Sequence, residues 1–254
     1  MKQQIPNVVT LLNLLLGCLA ITAALQSQLL SVVTETGETE FYITESLVTA
    51  SICIGLAAVV DFFDGFIARL LKVHSEMGKQ LDSLSDVVSF GVAPSIIVYQ
   101  FIRLSLAQQS HGLQASTAWL VPAFLLALAG AYRLARFNID TEQTTYFKGI
   151  PVPAAGLVVA AFPLIQQYNT YTWVQVCLQN VWFWYGIIAL LSTLMVSSWP
   201  MMAFKFSNYG WAANKGKYLF LAITVVLAIF LQWLAVPVLL LLYVALSLLF
   251  KPNV

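Results

Sequence analysis

Charge is scarce in this 254-residue sequence: Asp, Glu, Lys and Arg make up 9% of it, against about 25% in ordinary soluble domains. That scarcity excludes a soluble globular domain and an intrinsically disordered chain. Cysteine is nearly absent too. Cys18, Cys53 and Cys177 are an odd number scattered through apolar sequence, without metal spacing, so neither a disulfide scaffold nor a zinc site is indicated. There are two histidines, no basic cluster and a net charge of +1, which removes nucleic-acid binding. Long linkers and low-complexity tracts are missing as well. What fills the chain is apolar residues, at 60%. Such a composition is counted in membrane spans of roughly 20 residues each.

Eight apolar segments follow, at about 8–25, 47–71, 81–104, 118–135, 153–165, 182–196, 218–233 and 234–250. Backbone groups in hydrocarbon must be satisfied within the segment, and no alternating strand pattern is present, so the spans are expected to be helices. The sequence reads as an all-α, polytopic membrane protein of about eight transmembrane helices, one domain over 1–254, with a core to about 200 and additional helices over 201–254. The first segment sits where a signal peptide would. It has no A-x-A-like site before the acidic loop and is interrupted by Asn13, so a retained helix is expected.

Charge placement orients the spans. If they alternate, Lys2, Arg69, Lys72, Lys79, Arg133, Arg136, Lys148, Lys205, Lys215, Lys217 and Lys251 share one side and Arg103 alone lies on the other. The loop after the first span carries Glu35, Glu38, Glu40 and Glu45. The positive-inside rule places both termini in the cytoplasm.

Four acids interrupt apolar sequence. Asp61 and Asp64 lie near the cytoplasmic end of the second span, three residues apart; Asp82 and Asp86 open the third, four apart. Each pair therefore occupies one helix face. An ionised carboxylate within a span costs at least about 2.5–3.5 kcal/mol, so four need partners, and Arg69 supplies only one positive charge. Hard divalent cations with oxygen ligands, Mg²⁺ or Mn²⁺, fit best. Two such ions bridged by carboxylates suit a pyrophosphate and displacement at phosphorus. Gly65, Ala68 and Gly78 lie four residues from an aspartate, leaving each acidic face without bulk. Intramembrane carboxylates also mark cation or proton transporters, but no second acidic motif occurs in the later spans and the four acids crowd one membrane face.

Together these residues read D-x-x-D-G-x-x-A-R, eight residues, then G-x-x-x-D-x-x-x-D: Asp61, Asp64, Gly65, Ala68, Arg69, Gly78, Asp82 and Asp86. The pattern resembles the signature of the CDP-alcohol phosphatidyltransferase family. The resemblance implies a helical membrane enzyme, usually a homodimer, that displaces CMP from a CDP-linked lipid or alcohol using two divalent metals, with a six-span core to which the last two spans would be additions. Residues 89–95, 133–138 and 147–154, with Pro6-Asn7-Val8-Val9-Thr10 and Asn13, resemble most the members that transfer a phosphatidyl group from CDP-diacylglycerol to L-serine. Another acceptor, such as glycerol 3-phosphate, inositol phosphate or choline, stays open. An unrelated class of serine-transferring enzymes uses paired H-x-K motifs, and neither His74 nor His111 begins one.

By this resemblance Asp61, Asp64 and Asp82 would hold one metal, and Asp61, Asp82 and Asp86 would be available to a second. Asp86 would be the general base. Gly65, Ala68, Arg69, Gly78, Asn7 and Thr10 would bind the nucleotide and pyrophosphate. Arg133, Arg136, Asn138 and Lys148 would meet the serine, since an Arg fork matches a carboxylate bidentately. Plainer roles stand beside these: charge anchoring for Arg133 and Arg136, helix-end hydrogen bonding for Asn7, Thr10 and Asn13, a helix start at Pro151 and Pro153, and solvated loops for His74 and His111. Trp182, Trp184, Trp199, Trp211 and Trp233 are expected in interfacial belts. The integral protein is expected in the inner membrane with its site facing the cytoplasm.

Overall fold

A buried stripe recurring every three or four residues, Leu47, Ala50, Ile54 and Ala57, runs down the second helix and ends in Asp61 and Asp64. The first helix carries the matching stripe: Asn7, Thr10, Asn13, Gly17, Ala20 and Ala24, all buried. Small residues on both let the backbones approach closely, as helices in lipid must when no hydrophobic drive separates them from the tails. In the computed structural model these become α1 (Gln4–Leu25) and α2 (Ser46–Leu71), packed along one another. The structure describes residues 4–33, 39–71, 75–109, 112–139, 147–201 and 211–249. Lys2, Lys72, Lys205, Lys251, Glu35, Glu38, His74 and His111, all named above, lie outside them.

Between α1 and α2 sits an antiparallel ribbon, β1 (Leu29–Val33) and β2 (Thr39–Ile43). The third span is α3 (Glu76–Asp86), a π-helical stretch (Val87–Val92) and α4 (Ala93–Ala107). The fourth begins as 3₁₀ turns and continues as α5 (Leu125–Ile139). After strand β3 (Phe147–Lys148) come α6 (Val152–Tyr168), α7 (Thr172–Leu178) and α8 (Val181–Val196), the last two bent by 76°. Strand β4 (Pro200–Met201) pairs with β3, and α9 (Trp211–Leu231) and α10 (Ala235–Leu249) follow. Pro151 and Pro153 start α6 as expected.

Among the described residues five helical stretches are long and apolar enough to cross a membrane, six with the bent pair, and α6 is a shorter apolar helix. The final stretch, Tyr218–Leu249, folds back on itself. The Phe220 and Tyr243 rings meet at 6.0 Å although 23 residues separate them in sequence, and Gln232 adopts a positive φ of 49° at the reversal. α9 and α10 therefore pack side by side. The architecture is the all-α polytopic one read from the sequence, with two small ribbons added outside the spans.

The π stretch is the centre of the packing. Ala93 N–H reaches back five residues to the Val88 carbonyl. Glycine stands wherever another helix presses on this stretch. A Cβ on Gly17 of α1 would lie 2.9 Å from Ser89 Cα, and one on Gly156 of α6 would lie 3.0 Å from Phe90 Cα. The Ser95 hydroxyl donates to the Gly91 carbonyl (2.8 Å) and accepts the Ala127 N–H (3.2 Å), satisfying an otherwise orphaned donor in the first turn of α5. Gln100 donates to the Ala24 carbonyl at the end of α1 (2.9 Å) and accepts from Arg103 (3.4 Å), the one basic residue on the acidic side.

One aromatic expectation is corrected. Trp184 is not in an interfacial belt: it is fully buried, stacked on Phe101 at 4.4 Å, with its indole N–H donated to the Leu178 carbonyl at 2.8 Å. Trp182, Trp199 and Trp233 are exposed as expected.

Gly17→Ala should lower thermal stability, because the new methyl meets backbone that cannot yield cheaply. Overpacking of this kind costs about 1–3 kcal/mol. Tryptophan fluorescence melting in detergent, with Gly55→Ala in an open position as the control, measures the difference.

Candidate active site

Helix geometry brings the four acids together. The interior stripe of α2 presents Asp61 and Asp64 toward the N-terminal half of α1, and α3 lies against the same half, presenting Asp82 and Asp86. Asp61, Asp64 and Asp82 each offer a carboxylate oxygen within 4.8 Å of the others. Asp86 is buried, and its carboxyl lies within hydrogen-bonding reach of Asp61.

Carboxylates so close repel unless donors or cations intervene. The polar residues of α1 supply donors. The Thr10 hydroxyl donates to Asp64 Oδ2 at 2.8 Å, and Asn13 Nδ2 donates to Asp86 Oδ1 at 3.4 Å. Asn13 is wholly buried, and its Oδ1 has no hydrogen-bond partner among the described residues. Two further hydroxyls fasten the acidic span to α1: Ser85 Oγ donates to the Thr10 carbonyl (3.1 Å) and Ser89 Oγ to the Asn13 carbonyl (3.0 Å). Ser89 opens the family-like segment 89–95, and both serines share one spacing, three residues after an aspartate.

These donors do not balance four carboxylates. A set of oxygen ligands at this separation, without His or Cys among them, fits hard divalent cations. Asp61, Asp64, Asp82 and Asp86 are the residues that can hold them.

Beside the cluster opens a cavity of about 480 Å³ lined by Pro6, Asn7, Thr10, Asp64, Gly65, Ala68, Arg69, Ser75, Glu76, Gly78, Lys79 and Asp82. All six residues expected to meet a nucleotide lie on its wall. The glycines keep it open: a Cβ on Gly78 would come within 3.0 Å of Asn7 Oδ1 and 2.9 Å of Ser75 Oγ, the hydroxyl that caps α3. Pro6, Ser75, Glu76 and Lys79 were not anticipated. Asp61 and Asp86 do not line the cavity.

The four residues expected at the acceptor have different partners. Arg133 lies within electrostatic reach of Asp86, with its guanidinium carbon 5.5 Å from the Phe137 ring centroid. Arg136 points instead to the end of α8, donating to the Val196 carbonyl (3.1 Å) and Ser198 Oγ (3.0 Å), where it satisfies a terminal carbonyl. Asn138 ties α5 to α3: its Nδ2 donates to Ser83 Oγ (2.8 Å) and its carbonyl accepts from Lys79 Nζ (2.9 Å). Lys148 sits in the β3–β4 ribbon opposite Pro200. The next residue, Gly149, has a φ of +72° and is crowded by the Leu194, Met195 and Ser197 carbonyls, so only glycine carries the chain from that ribbon into α6.

Comparison with known proteins agrees with this geometry. Residues 3–199 match the CDP-alcohol phosphatidyltransferase family. The chain is similar to a CDP-diacylglycerol–serine O-phosphatidyltransferase of Helicobacter pylori, at 34% identity over 195 residues, covering 76% of this chain and 69% of the relative. The enzyme of the same name from Bacillus subtilis is 32% identical over 160 residues, 62% of this chain and 75% of its own. An archaetidylserine synthase of Methanothermobacter thermautotrophicus is 36% identical over 127 residues, 49% of this chain and 50% of its own.

Removing one carboxylate outright should empty the cluster of metal. Asp61→Ala and Asp82→Ala should each abolish Mn²⁺ uptake by the purified protein, measured by calorimetry or electron paramagnetic resonance, whereas Glu76→Gln, on the cavity wall but outside the cluster, should retain it.

Proposed function

The chain belongs to the CDP-alcohol phosphatidyltransferase family, and from that premise we propose that it transfers the phosphatidyl group of CDP-diacylglycerol to the hydroxyl of L-serine, forming phosphatidylserine and CMP. The observation that carries the reading is the division of the four carboxylates. Asp64 and Asp82 face the cavity, whereas Asp86, away from its wall, is the carboxylate within reach of Arg133. A nucleotide side and an acceptor side thus meet at one cluster. Family membership as a transferase leaves the ion-transport alternative without support.

In this reading the cytidine and pyrophosphate occupy the cavity. Gly65 and Ala68 leave room for the flat ring, Arg69 meets the pyrophosphate, and Asn7, Thr10 and Gly78 complete the wall. Asp61, Asp64 and Asp82 would hold one divalent cation, Mn²⁺ or Mg²⁺, and Asp61, Asp82 and Asp86 would be available to a second. The chemistry such ions would supply there is neutralisation of the pyrophosphate and of the charge on departing CMP. Serine approaches from the other side, its carboxylate on Arg133, with Lys148 adding positive charge and Arg136 and Asn138 fixing the surrounding helices. Asp86 accepts the proton from serine Oγ, and the oxygen forms a bond to the lipid-linked phosphorus. The phosphorus–oxygen bond to the CMP phosphate breaks, and CMP leaves with the electron pair. Asn13 orients the Asp86 carboxyl by donating to its Oδ1.

A single catalytic domain over 1–254, a homodimeric assembly, an inner-membrane location and cytoplasmic placement of both termini and the site complete the proposal. The last two rest on the one-sided distribution of Lys and Arg.

Supplied with CDP-diacylglycerol and Mn²⁺ or Mg²⁺, the protein should release CMP with L-serine and little with glycerol 3-phosphate, inositol phosphate or choline. Faster turnover with any of these would assign a different acceptor. Asp86→Asn keeps the shape and one ligand oxygen but cannot take the proton. Its turnover should fall by about 10²–10⁴-fold, the range for a lost general base, while metal-dependent binding of CDP-diacylglycerol persists in calorimetry. Binding lost in step with turnover would make Asp86 a ligand only.

A further inference from the structure

The helix α3 carries two of the four acids and part of the cavity wall, yet burial does little to anchor it. The residues it buries outright are Ser85 and Asp86, both polar. A helix of 11 residues is marginal on its own, so polar ties must set its position. On the α1 side the tie is Ser85, whose hydroxyl donates to the Thr10 carbonyl at 3.1 Å. On the other side it is Asn138, the penultimate residue of α5.

Asn138 grips one turn of α3 at both ends. Its carbonyl, one of the four that a helix terminus leaves without an internal partner, accepts from Lys79 Nζ at 2.9 Å. Its Nδ2 donates to Ser83 Oγ at 2.8 Å. The circuit closes inside α3, where the Ser83 hydroxyl donates to the Lys79 carbonyl at 3.2 Å. Within the gripped turn stands Asp82, which belongs both to the acidic cluster and to the cavity wall. A lysine at the end of a neighbouring helix is common. This one also lines the cavity, from α3, as Arg69 does from α2, and the two are the basic residues of that wall. An ammonium offers three donors and a carbonyl takes one, so the tether fixes the charge without consuming it. A lysine held this way is a point charge suited to a phosphate oxygen.

We propose that Lys79 is a second cationic contact, with Arg69, for the diphosphate of the CDP-linked substrate, and that Asn138, acting with Ser83, is the positioning residue that holds it on the cavity wall. The proposal rests on the cavity taking the nucleotide, the reading given above. It moves Asn138, which the family resemblance placed with the acceptor, to the nucleotide half of the site.

The test uses the 254-residue protein with CDP-diacylglycerol, Mn²⁺ and L-serine. Lys79→Met should raise the KM for CDP-diacylglycerol about 10- to 100-fold, the worth of a hydrogen bond to a charged group, and leave the KM for L-serine unchanged. Asn138→Ala and Ser83→Ala should each raise the CDP-diacylglycerol KM about 3- to 10-fold, the size of one neutral hydrogen bond, with the serine KM, calorimetric Mn²⁺ binding and the melting temperature unchanged. Ser83→Thr keeps the hydroxyl and should restore the low KM. Adding Asn138→Ala to Lys79→Met should change little further, since both act through one ammonium. A serine KM raised in Asn138→Ala returns that residue to the acceptor and overturns its part. Lost Mn²⁺ binding in Asn138→Ala shows the grip acting through Asp82 and overturns the role of Lys79. A CDP-diacylglycerol KM unchanged in Lys79→Met but raised in Arg69→Ala overturns the Lys79 contact and leaves the nucleotide reading of the cavity intact; a KM unchanged in both overturns that reading as well. Equal rises in both KM values with a lowered melting temperature make the tie between α3 and α5 a structural support only.

Discussion

Mutual repulsion of four carboxylates in a medium that solvates charge poorly is the constraint to which this fold answers. Left bare, Asp61, Asp64, Asp82 and Asp86 would drive α2 and α3 apart. Holding them together takes hydrogen-bond donors, cations and close backbone approach, and each shapes a different part of the molecule. Donors come from α1, whose buried stripe changes from alanine and glycine to Asn13, Thr10 and Asn7 where the acids lie. The oxygen-only cluster leaves divalent cations to supply the missing positive charge. Close approach comes from the glycines around the π stretch, which let α1 and α6 press on the backbone next to Asp86.

Much of this was legible in the sequence because helices repeat. The three- and four-residue spacings put the acids on shared faces, and the apolar runs marked the spans. Polar side chains in apolar sequence also had to find partners, so Asn7 and Thr10 reach the site. What escaped depended on irregularity or distance. The π stretch shifts the residues after Asp86 off the regular helical period, and no local signal announces that Val88 rather than Ser89 pairs with Ala93. Arg136 and Asn138 have the chemistry of a carboxylate site, yet the nearest unsatisfied groups were a helix-terminal carbonyl and Ser83. Trp184 looked interfacial because tryptophan usually is, but the Leu178 carbonyl lay within reach of its N–H.

The two sides of the site are mechanically joined. Ser83 and Lys79 lie on the helix that carries Asp82 and Asp86, and both are tied to Asn138, at the end of the helix that carries Arg133. Lys79 also lines the cavity. A shift of the cavity wall is therefore felt by α5 through two hydrogen bonds rather than through loose packing, and α5 is fixed at the same end to α8 by Arg136.

Order of synthesis gives the α9–α10 hairpin another meaning. The cavity, the four acids and the α1–α2 pair all precede α10 in the chain, so α10 is made after them. Until it turns back at Gln232, the surface of α6 and the β3–β4 ribbon against which Leu240, Leu246 and Ser247 come to rest is open to lipid. A chain halted before that point is a bundle with one wall missing, its α6 surface left uncovered.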